Sequence, residues 1–213
     1  MTDQILEWII RLPVLLFAIT IHEYAHGRAA LAFGDPTARN AGRLTMNPIS
    51  HIDPIGAICL FLFNFGWAKP VPVNIRYFKN IRTETILMAI AGPMTNLAAA
   101  FAAGILIRFF LFPSEIYQNI LIYMILMNTG LGLFNLLPIP PLDGSHVVEN
   151  LLPPAMGQKF RHASRHAPII LIGILIMDNF LHINILGRLL SYPILMVCYF
   201  FGGPNFLRLL GLN

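Results

Sequence analysis

Two histidines and a glutamate lie close together in the motif His22-Glu23-x-x-His26. In an α-helix, residues four positions apart lie on one face, so both imidazoles can bind the same metal ion. Glu23 lies beside that pair, where it can reach a metal-bound water rather than the metal. This H-E-x-x-H spacing is typical of zinc peptidases, in which zinc lowers the pKa of a bound water towards ~7 and a glutamate accepts its proton. The predicted chemistry is therefore metal-assisted hydrolysis of a peptide bond.

The surroundings of this motif are apolar. It lies about 17 residues into an apolar stretch that begins near Ile5. Two imidazoles and a carboxylate are costly to bury in a membrane, so such groups usually have a function there. The alternative is that the three side chains lie at the membrane surface and only solvate a helix end.

A second segment offers the ligand that this motif lacks. A catalytic zinc ion usually has three protein ligands and a water, so one Asp, Glu or His must come from elsewhere. Asp143 is the best candidate, because it ends the segment 135–144, in which three prolines break a helix. Broken backbone at membrane depth requires a cavity or a protein neighbour. On its own, Asp143-Gly144 could equally be a turn at the membrane edge.

The composition excludes most other classes of protein. Charged residues make up 11% of the 213 residues, and hydrophobic residues make up 56%. A soluble domain carries about 25% charged residues and cannot bury so much apolar surface. The mean hydropathy of +0.68 also excludes intrinsic disorder. The basic residues are dispersed, so the net charge of +4 does not indicate nucleic-acid binding.

The apolar stretches predict an all-α polytopic membrane protein with about five transmembrane helices, within a range of four to six. We expect residues 1–213 to form a single domain. The last apolar stretch is interrupted by prolines and glycines, so it could be a span, a half-span or an interfacial helix. The five stretches run approximately over Ile5–Phe33, Thr85–Phe112, Ile116–Leu137, Pro168–Ile185 and Leu189–Leu210.

Two long connections, residues 34–82 and 138–167, separate these stretches. In the first, Arg43–Met46 alternates polar and apolar residues, which predicts a short β-strand. The prolines of residues 70–74 favour an extended backbone. The apolar segment Ile55–Phe65 is too short to span a bilayer, but it could enter the membrane and return on the same side.

The basic residues predict the orientation. The two connections contain nine of the 14 Lys and Arg residues, whereas the short loop between the second and third stretches contains Glu115 and neither Lys nor Arg. Because basic loops stay in the cytoplasm, we expect a multi-pass protein of the inner or plasma membrane with its N-terminus outside. The metal site would then open towards the cytoplasm.

Taken together, the two motifs resemble those of the site-2 protease family, which are intramembrane zinc metalloproteases. His22-Glu23-x-x-His26 matches the first family motif, and N-x-x-P-x-P-x-L-D-G over residues 135–144 matches the second. Residues 34–37, 47–48, 51–56 and 66–73 resemble the compact bacterial members, which lack PDZ and CBS domains. The resemblance covers residues 15–150 well and the C-terminal third only loosely.

The resemblance implies a role for each matching residue. His22, His26 and Asp143 would bind one Zn²⁺ per chain, and Glu23 would be the general base and later the proton donor. Asn135 would hold the substrate backbone or the developing oxyanion. The substrate would be a transmembrane segment of another protein in the lipid bilayer, unwound and added as a strand to residues 41–46 or 70–75. The oligomeric state is left open.

Three alternatives stay open on the sequence. A membrane peptidase of the prenyl-protein type also uses H-E-x-x-H, but a later Glu usually completes its site. A non-catalytic metal-binding or transport protein has no need of a base such as Glu23. An inactive relative would lack a required residue, and none is missing. The roles of three further residues are also open, namely those of His51, His146 and Asn96.

Overall fold

A computed structural model describes residues 2–63, 65–110, 114–181 and 184–211. This part of the chain is mostly α-helical and contains no β-sheet. Short 3-10 turns at Pro48–His51, Ile75–Tyr77 and Ser164–His166 connect the helices. The α-helices are α1 (Thr2–Ala32), α2 (Thr37–Asn40), α3 (Pro54–Phe63), α4 (Ile81–Phe109), α5 (Glu115–Asn135), α6 (Asp143–Leu151), α7 (Pro154–Ala163), α8 (Ala167–Leu181) and α9 (Ile185–Leu209).

Four helices in the described ranges are long and apolar enough to cross a membrane, namely Glu7–Ala32 of α1 and all of α4, α5 and α9. This number lies within the predicted range of four to six. Helix α8 covers most of the predicted fourth stretch, but its 15 residues fall short of the ~20 that a span needs. Residues 111–113 and 182–183, at the ends of two predicted stretches, lie outside the described residues.

The last apolar stretch forms two helical segments joined across a kink, and its two prolines lie within them. Among its residues only Gly203 departs from helical geometry, with φ 64° and ψ −161°. This left-handed φ favours glycine, and an added Cβ there would lie 2.8 Å from the Arg108 guanidinium. The stretch therefore bends at Gly203 but does not stop there, and α9 is long enough to span.

Helix α9 runs antiparallel to α5. Leu186, near its start, packs in one apolar cluster with Leu142, just after the end of α5. Further along, the Cys198 thiol contacts the Ile125 carbonyl, and Asn205 Nδ2 donates to Ile107 O near the end of α4. Because α9 starts on the side where α5 ends, the connection from 136 to 184 adds no net crossing.

The core of the helix bundle is built from small residues, because these let helix backbones approach closely. Ala100 and Ala103 of α4 are buried against Ile125 and Phe206. On α5, a Cβ added to Gly132 would lie 3.1 Å from the Pro93 carbonyl oxygen of α4. Helix α4 packs on α1, α5, α6 and α9 and so is the central helix of the bundle.

Helix α3 forms a hairpin that begins and ends beside the second half of α1. At its base, Lys69 N donates to His51 O over 2.9 Å. At its tip, the Phe61 ring lies 6.2 Å from the Trp8 ring. Trp8 precedes His22 by about 21 Å of helix axis. The hairpin therefore extends along α1, which is long and apolar enough to span a bilayer, and its entry into the membrane and return on the same side stays a prediction.

The predicted short strand at Arg43–Met46 is not formed. Thr45 and Met46 form a bend and the two residues before them are irregular. The described residues of this connection pair as strands do only at the isolated bridge between Ile52 and Ala68. The polar groups of the segment bind elsewhere: Arg43 Nη2 donates to Lys69 O, and Thr45 Oγ1 accepts from Asn47 N. Alternation of polar and apolar residues does not make a strand when no partner strand lies alongside.

Candidate metal centre

Helices α1 and α6 bring three potential ligands together. His22 Nε2 and His26 Nε2 lie 3.1 Å apart, as expected for neighbouring turns of one helix. Asp143 Oδ2, at the first residue of α6, lies 3.1 Å from His22 Nε2 and 3.3 Å from His26 Nε2. Both histidines are buried, and Asp143 is partly buried. The structure thus places the three predicted ligands in one cluster.

The other ring nitrogen of each histidine is already hydrogen-bonded. His26 Nδ1 lies 2.8 Å from the carbonyl oxygen of Met88, and His22 Nδ1 lies 2.6 Å from Asn96 Oδ1. Since a carbonyl oxygen only accepts, the His26 proton is on Nδ1. Its Nε2 lone pair then faces the cluster, which is the form that binds a metal.

The cluster fits a divalent cation. Asp143 Oδ2 is buried and has no hydrogen-bond donor among the described residues. A carboxylate and two ring nitrogens converge, with all ligand atoms within 4.8 Å of one another. Two nitrogens and a carboxylate oxygen are a ligand set that zinc takes in catalytic sites.

Glu23 lies next to this cluster but does not belong to it. Its Oε2 accepts a hydrogen bond of 2.9 Å from Val71 N, in the extended segment after the α3 hairpin. Among the described residues, no hydrogen bond is made to its Oε1. The carboxylate is therefore held in place by one oxygen while the other can accept a proton.

Gly27 lets the extended segment approach α1. A Cβ at this position would lie 3.0 Å from Leu44 Cδ1 and 3.2 Å from Val71 Cγ1. Asp35, which is fully buried, holds the end of the segment by accepting from Asn74 N over 2.6 Å. Two backbone N–H groups of residues 70–75 are thus already hydrogen-bonded. Val71 N donates to Glu23 of α1, and Asn74 N donates to Asp35, just after α1. Since Pro70 and Pro72 have no N–H, an added substrate strand would meet mainly carbonyl acceptors here.

Gly92 lets α4 approach the two histidines. A Cβ at Gly92 would collide with His26 Nε2 and would lie 2.8 Å from His22 Cε1. Any larger residue would therefore displace the ligands. The position of Gly92 against the imidazoles was not predicted from the sequence.

Asp143 is positioned by the turn between α5 and α6. Leu142 N donates to Ile139 O, and Ser145 Oγ donates to Leu142 O. A Cβ added to Gly144 would collide with the Leu136 carbonyl oxygen at the end of α5. The prolines and Gly144 thus allow α6 to begin directly against α5, with its first residue facing α1.

The remaining candidates do not belong to the ligand cluster in the described part of the chain. Asn135 is the last residue of α5, and its Nδ2 donates to Leu131 O of its own helix. His51 is buried and bonds Thr45 O through Nε2, whereas His146 is exposed. Neither histidine belongs to the ligand group of the described residues. Asn96, whose role the sequence left open, contacts His22 directly.

Comparisons with known proteins agree on one group of enzymes. The sequence model of peptidase family M50 matches residues 112–177. The chain is 40% identical over 195 residues to "Putative zinc metalloprotease YwhC" of Bacillus subtilis, covering 85% of this chain and 83% of the relative. It is 33% identical over 148 residues to "Putative zinc metalloprotease MJ0611" of Methanocaldococcus jannaschii, covering 68% and 72%.

A mycobacterial relative is more distant. "Putative zinc metalloprotease Rip2" of Mycolicibacterium smegmatis is 29% identical over 168 residues, which cover 76% of this chain and 64% of that protein. No solved structure matches. All three relatives are named putative zinc metalloproteases.

Proposed function

The chain belongs to peptidase family M50, the site-2 protease family, and from this membership and the geometry of the ligand cluster we propose that it is a zinc metalloprotease that cleaves transmembrane segments within the bilayer. The observation that carries the proposal is the convergence of His22 Nε2, His26 Nε2 and Asp143 Oδ2 in a buried cluster. A cation held between the two imidazoles would satisfy this buried carboxylate oxygen, which has no donor among the described residues.

His22, His26 and Asp143 would hold one zinc ion per chain. A bound zinc ion supplies Lewis acidity at this point, which activates water and polarises a peptide carbonyl. Glu23 accepts the proton of the attacking water on Oε1, because Oε2 is bonded to Val71 N. The same oxygen then returns the proton to the leaving amine.

The backbone donor of Val71 has a consequence for this proton transfer. A hydrogen bond to one carboxylate oxygen orients the Glu23 carboxylate. The base is thereby oriented before the substrate arrives. Asn135, at the end of α5, is assigned to the substrate backbone or the oxyanion, and to act there its Nδ2 must leave Leu131 O.

The substrate must be a transmembrane segment that unwinds before it is cut, because a helix keeps its carbonyls hydrogen-bonded internally. This part of the proposal is supported by the helices that are long and apolar enough to span a membrane, one of which carries His22, Glu23 and His26. The basic residues of the two long connections favour an opening towards the cytoplasm of the inner or plasma membrane.

The alternatives are less well supported. A peptidase of the prenyl-protein type would take a later Glu as its third ligand, whereas here Asp143 lies against both histidines. A non-catalytic metal carrier would not require an oriented carboxylate beside the ligands. All three relatives described above carry metalloprotease names.

The test is a cleavage assay of the purified protein in detergent, with a panel of single-span membrane-protein fragments and with Glu23→Gln in parallel. Zinc content is measured on both proteins. We expect both to bind zinc and only the wild-type protein to cleave, since Gln keeps the shape of the side chain but cannot accept the proton. Cleavage that persists in Glu23→Gln would contradict the proposed mechanism.

A further inference from the structure

A chain of buried amides connects His22 to the interior of α5. Asn96 of α4 and Asn128 of α5 are both fully buried. Asn96 Nδ2 donates to Ala18 O and to Asn128 Oδ1, each over 2.9 Å. Asn128 Nδ2 in turn donates to Met124 O over 2.9 Å. Three spanning helices are thus linked by side-chain hydrogen bonds that end at His22.

The direction of every hydrogen bond in this chain is fixed by the two carbonyls at which it ends. A carbonyl oxygen accepts only, so Asn128 must turn its NH₂ group towards Met124 O and its oxygen towards Asn96. Asn96 must then turn its NH₂ group towards Asn128 and Ala18 O. Its oxygen is left facing His22 Nδ1, 2.6 Å away. If either amide rotated by 180°, one contact would bring two acceptors together and another contact would bring two donors together.

We infer that Asn96, held by Asn128, is a positioning residue that fixes the metal-binding tautomer of His22. An oxygen at Nδ1 requires a proton on that nitrogen, which leaves the Nε2 lone pair free towards His26 and Asp143. A flipped amide would present hydrogens to Nδ1 and favour the tautomer with the proton on Nε2, which cannot bind a metal. Asn128 touches no ligand and acts only through Asn96.

The two histidines differ in how this proton is held. The Met88 carbonyl that His26 contacts belongs to the α4 backbone and has a fixed orientation. Asn96 Oδ1 belongs to a side chain that could otherwise rotate, so His22 needs the additional support of α5. The inference rests on the proposed zinc site. It states that Asn128 of α5 affects the binding of metal by His22 of α1.

The experiment measures the zinc affinity of the purified full-length protein in detergent, by competition with a chromophoric chelator. The variants are Asn96→Leu, Asn128→Leu and the double variant. Partners of metal-binding histidines typically contribute 10- to 100-fold to affinity, so we expect about that loss in Asn96→Leu and about a tenfold loss in Asn128→Leu. The double variant should lose no more than Asn96→Leu alone, because Asn128 acts through Asn96.

The double variant also keeps the test decisive if a single variant fails to fold. A single substitution leaves one buried amide without its partner, whereas replacing both amides by apolar side chains removes that penalty. Thr129→Val is the matched control, because Thr129 is equally buried, follows Asn128 on α5 and lies outside the chain of amides. Its zinc affinity should stay within about twofold of the wild-type value.

A second readout is independent of zinc. In the metal-free protein labelled with ¹⁵N-histidine, the His22 ring signals should report the Nδ1–H tautomer in the wild type and a mixture in Asn128→Leu. Wild-type zinc affinity in the double variant, or equal losses in Thr129→Val and Asn128→Leu, would overturn the inference. A wild-type protein that binds no zinc would instead contradict the proposed function, so the two failures are distinguishable.

Discussion

Replacing Gly92 by alanine should damage the metal centre without touching any ligand. The added methyl group would collide with His26 Nε2 and lie 2.7 Å from His26 Cε1 and 2.8 Å from His22 Cε1. Carbon atoms in van der Waals contact are normally about 3.5–4.0 Å apart. The two rings or the α4 backbone must therefore move by about 1 Å.

Neither ring can simply rotate away. His22 Nδ1 is bonded to Asn96 and His26 Nδ1 to the Met88 carbonyl, and both partners belong to α4 itself. A displacement of α4 would carry these partners with it and stretch the same hydrogen bonds. Overpacking of a well-packed interior costs about 1–3 kcal/mol. If this cost falls on the zinc-bound geometry, zinc affinity drops by about 5- to 150-fold.

The assay is zinc competition with a chelator, together with cleavage of a membrane-protein fragment at saturating zinc. Gly130→Ala is the matched control, since Gly130 also lies in a spanning helix but an added Cβ there would meet only Ile194 Cδ1, at 3.7 Å. We expect Gly130→Ala to bind zinc as the wild type does. Wild-type zinc affinity in Gly92→Ala would refute the view that this glycine sets the distance between α4 and the ligands.

Three further predictions test other parts of the site. Val71→Pro removes the N–H that holds Glu23, so it should lower the rate of cleavage by about tenfold with zinc affinity unchanged. Val71→Ala keeps the N–H and should retain most of the rate. Equal rates of cleavage in the two variants would contradict the role of this donor. Asp143→Asn should weaken zinc binding by more than about 100-fold, because a neutral amide replaces a charged ligand, and normal zinc content would remove Asp143 from the ligand set. In inside-out vesicles, a membrane-impermeant maleimide should label a cysteine introduced by Ile49→Cys but not Cys59 of α3; labelling of both would place α3 outside the bilayer.

The helices were predictable because the bilayer imposes a simple rule. An apolar stretch of about 20 residues must be helical in a membrane, which located α1, α4 and α5 to within a few residues at most ends. The C-terminal region was harder. Pro193 suggested an interruption, yet α9 continues through it, since other helices and side chains can satisfy the freed carbonyl in a membrane.

For the segment 43–46, the prediction from the sequence was wrong. Its alternating pattern is compatible with a strand, but strand formation depends on a partner that no local pattern can reveal. The same connection contains the α3 hairpin, whose apolar composition and short length did predict that it would not span. Composition thus predicted how deep the segment lies, whereas the backbone pairing depended on contacts between distant residues.

The clustering of His22, His26 and Asp143 was predictable because it follows from the chemistry of a metal site. His22 and His26 share a helix face, and a two-histidine site requires a third ligand from elsewhere. The support around them was not predictable in the same way. Val71 contributes a backbone N–H and Met88 a backbone carbonyl, and neither group leaves a signal in the identity of its residue.

Charge alone is an incomplete guide to a site of this kind. The low content of charged residues singles out Glu23 and Asp143, because a charge in the membrane must be justified by function. Asn96 and Asn128 carry no charge, yet both are fully buried in spanning helices and end at a metal ligand. An unpaired amide in such a place is costly, so two amides on neighbouring helices already imply a hydrogen-bonded pair. The next hydrogen-bond partner of the two amides depends on the level at which they lie along the helices. Here they lie at the level of His22.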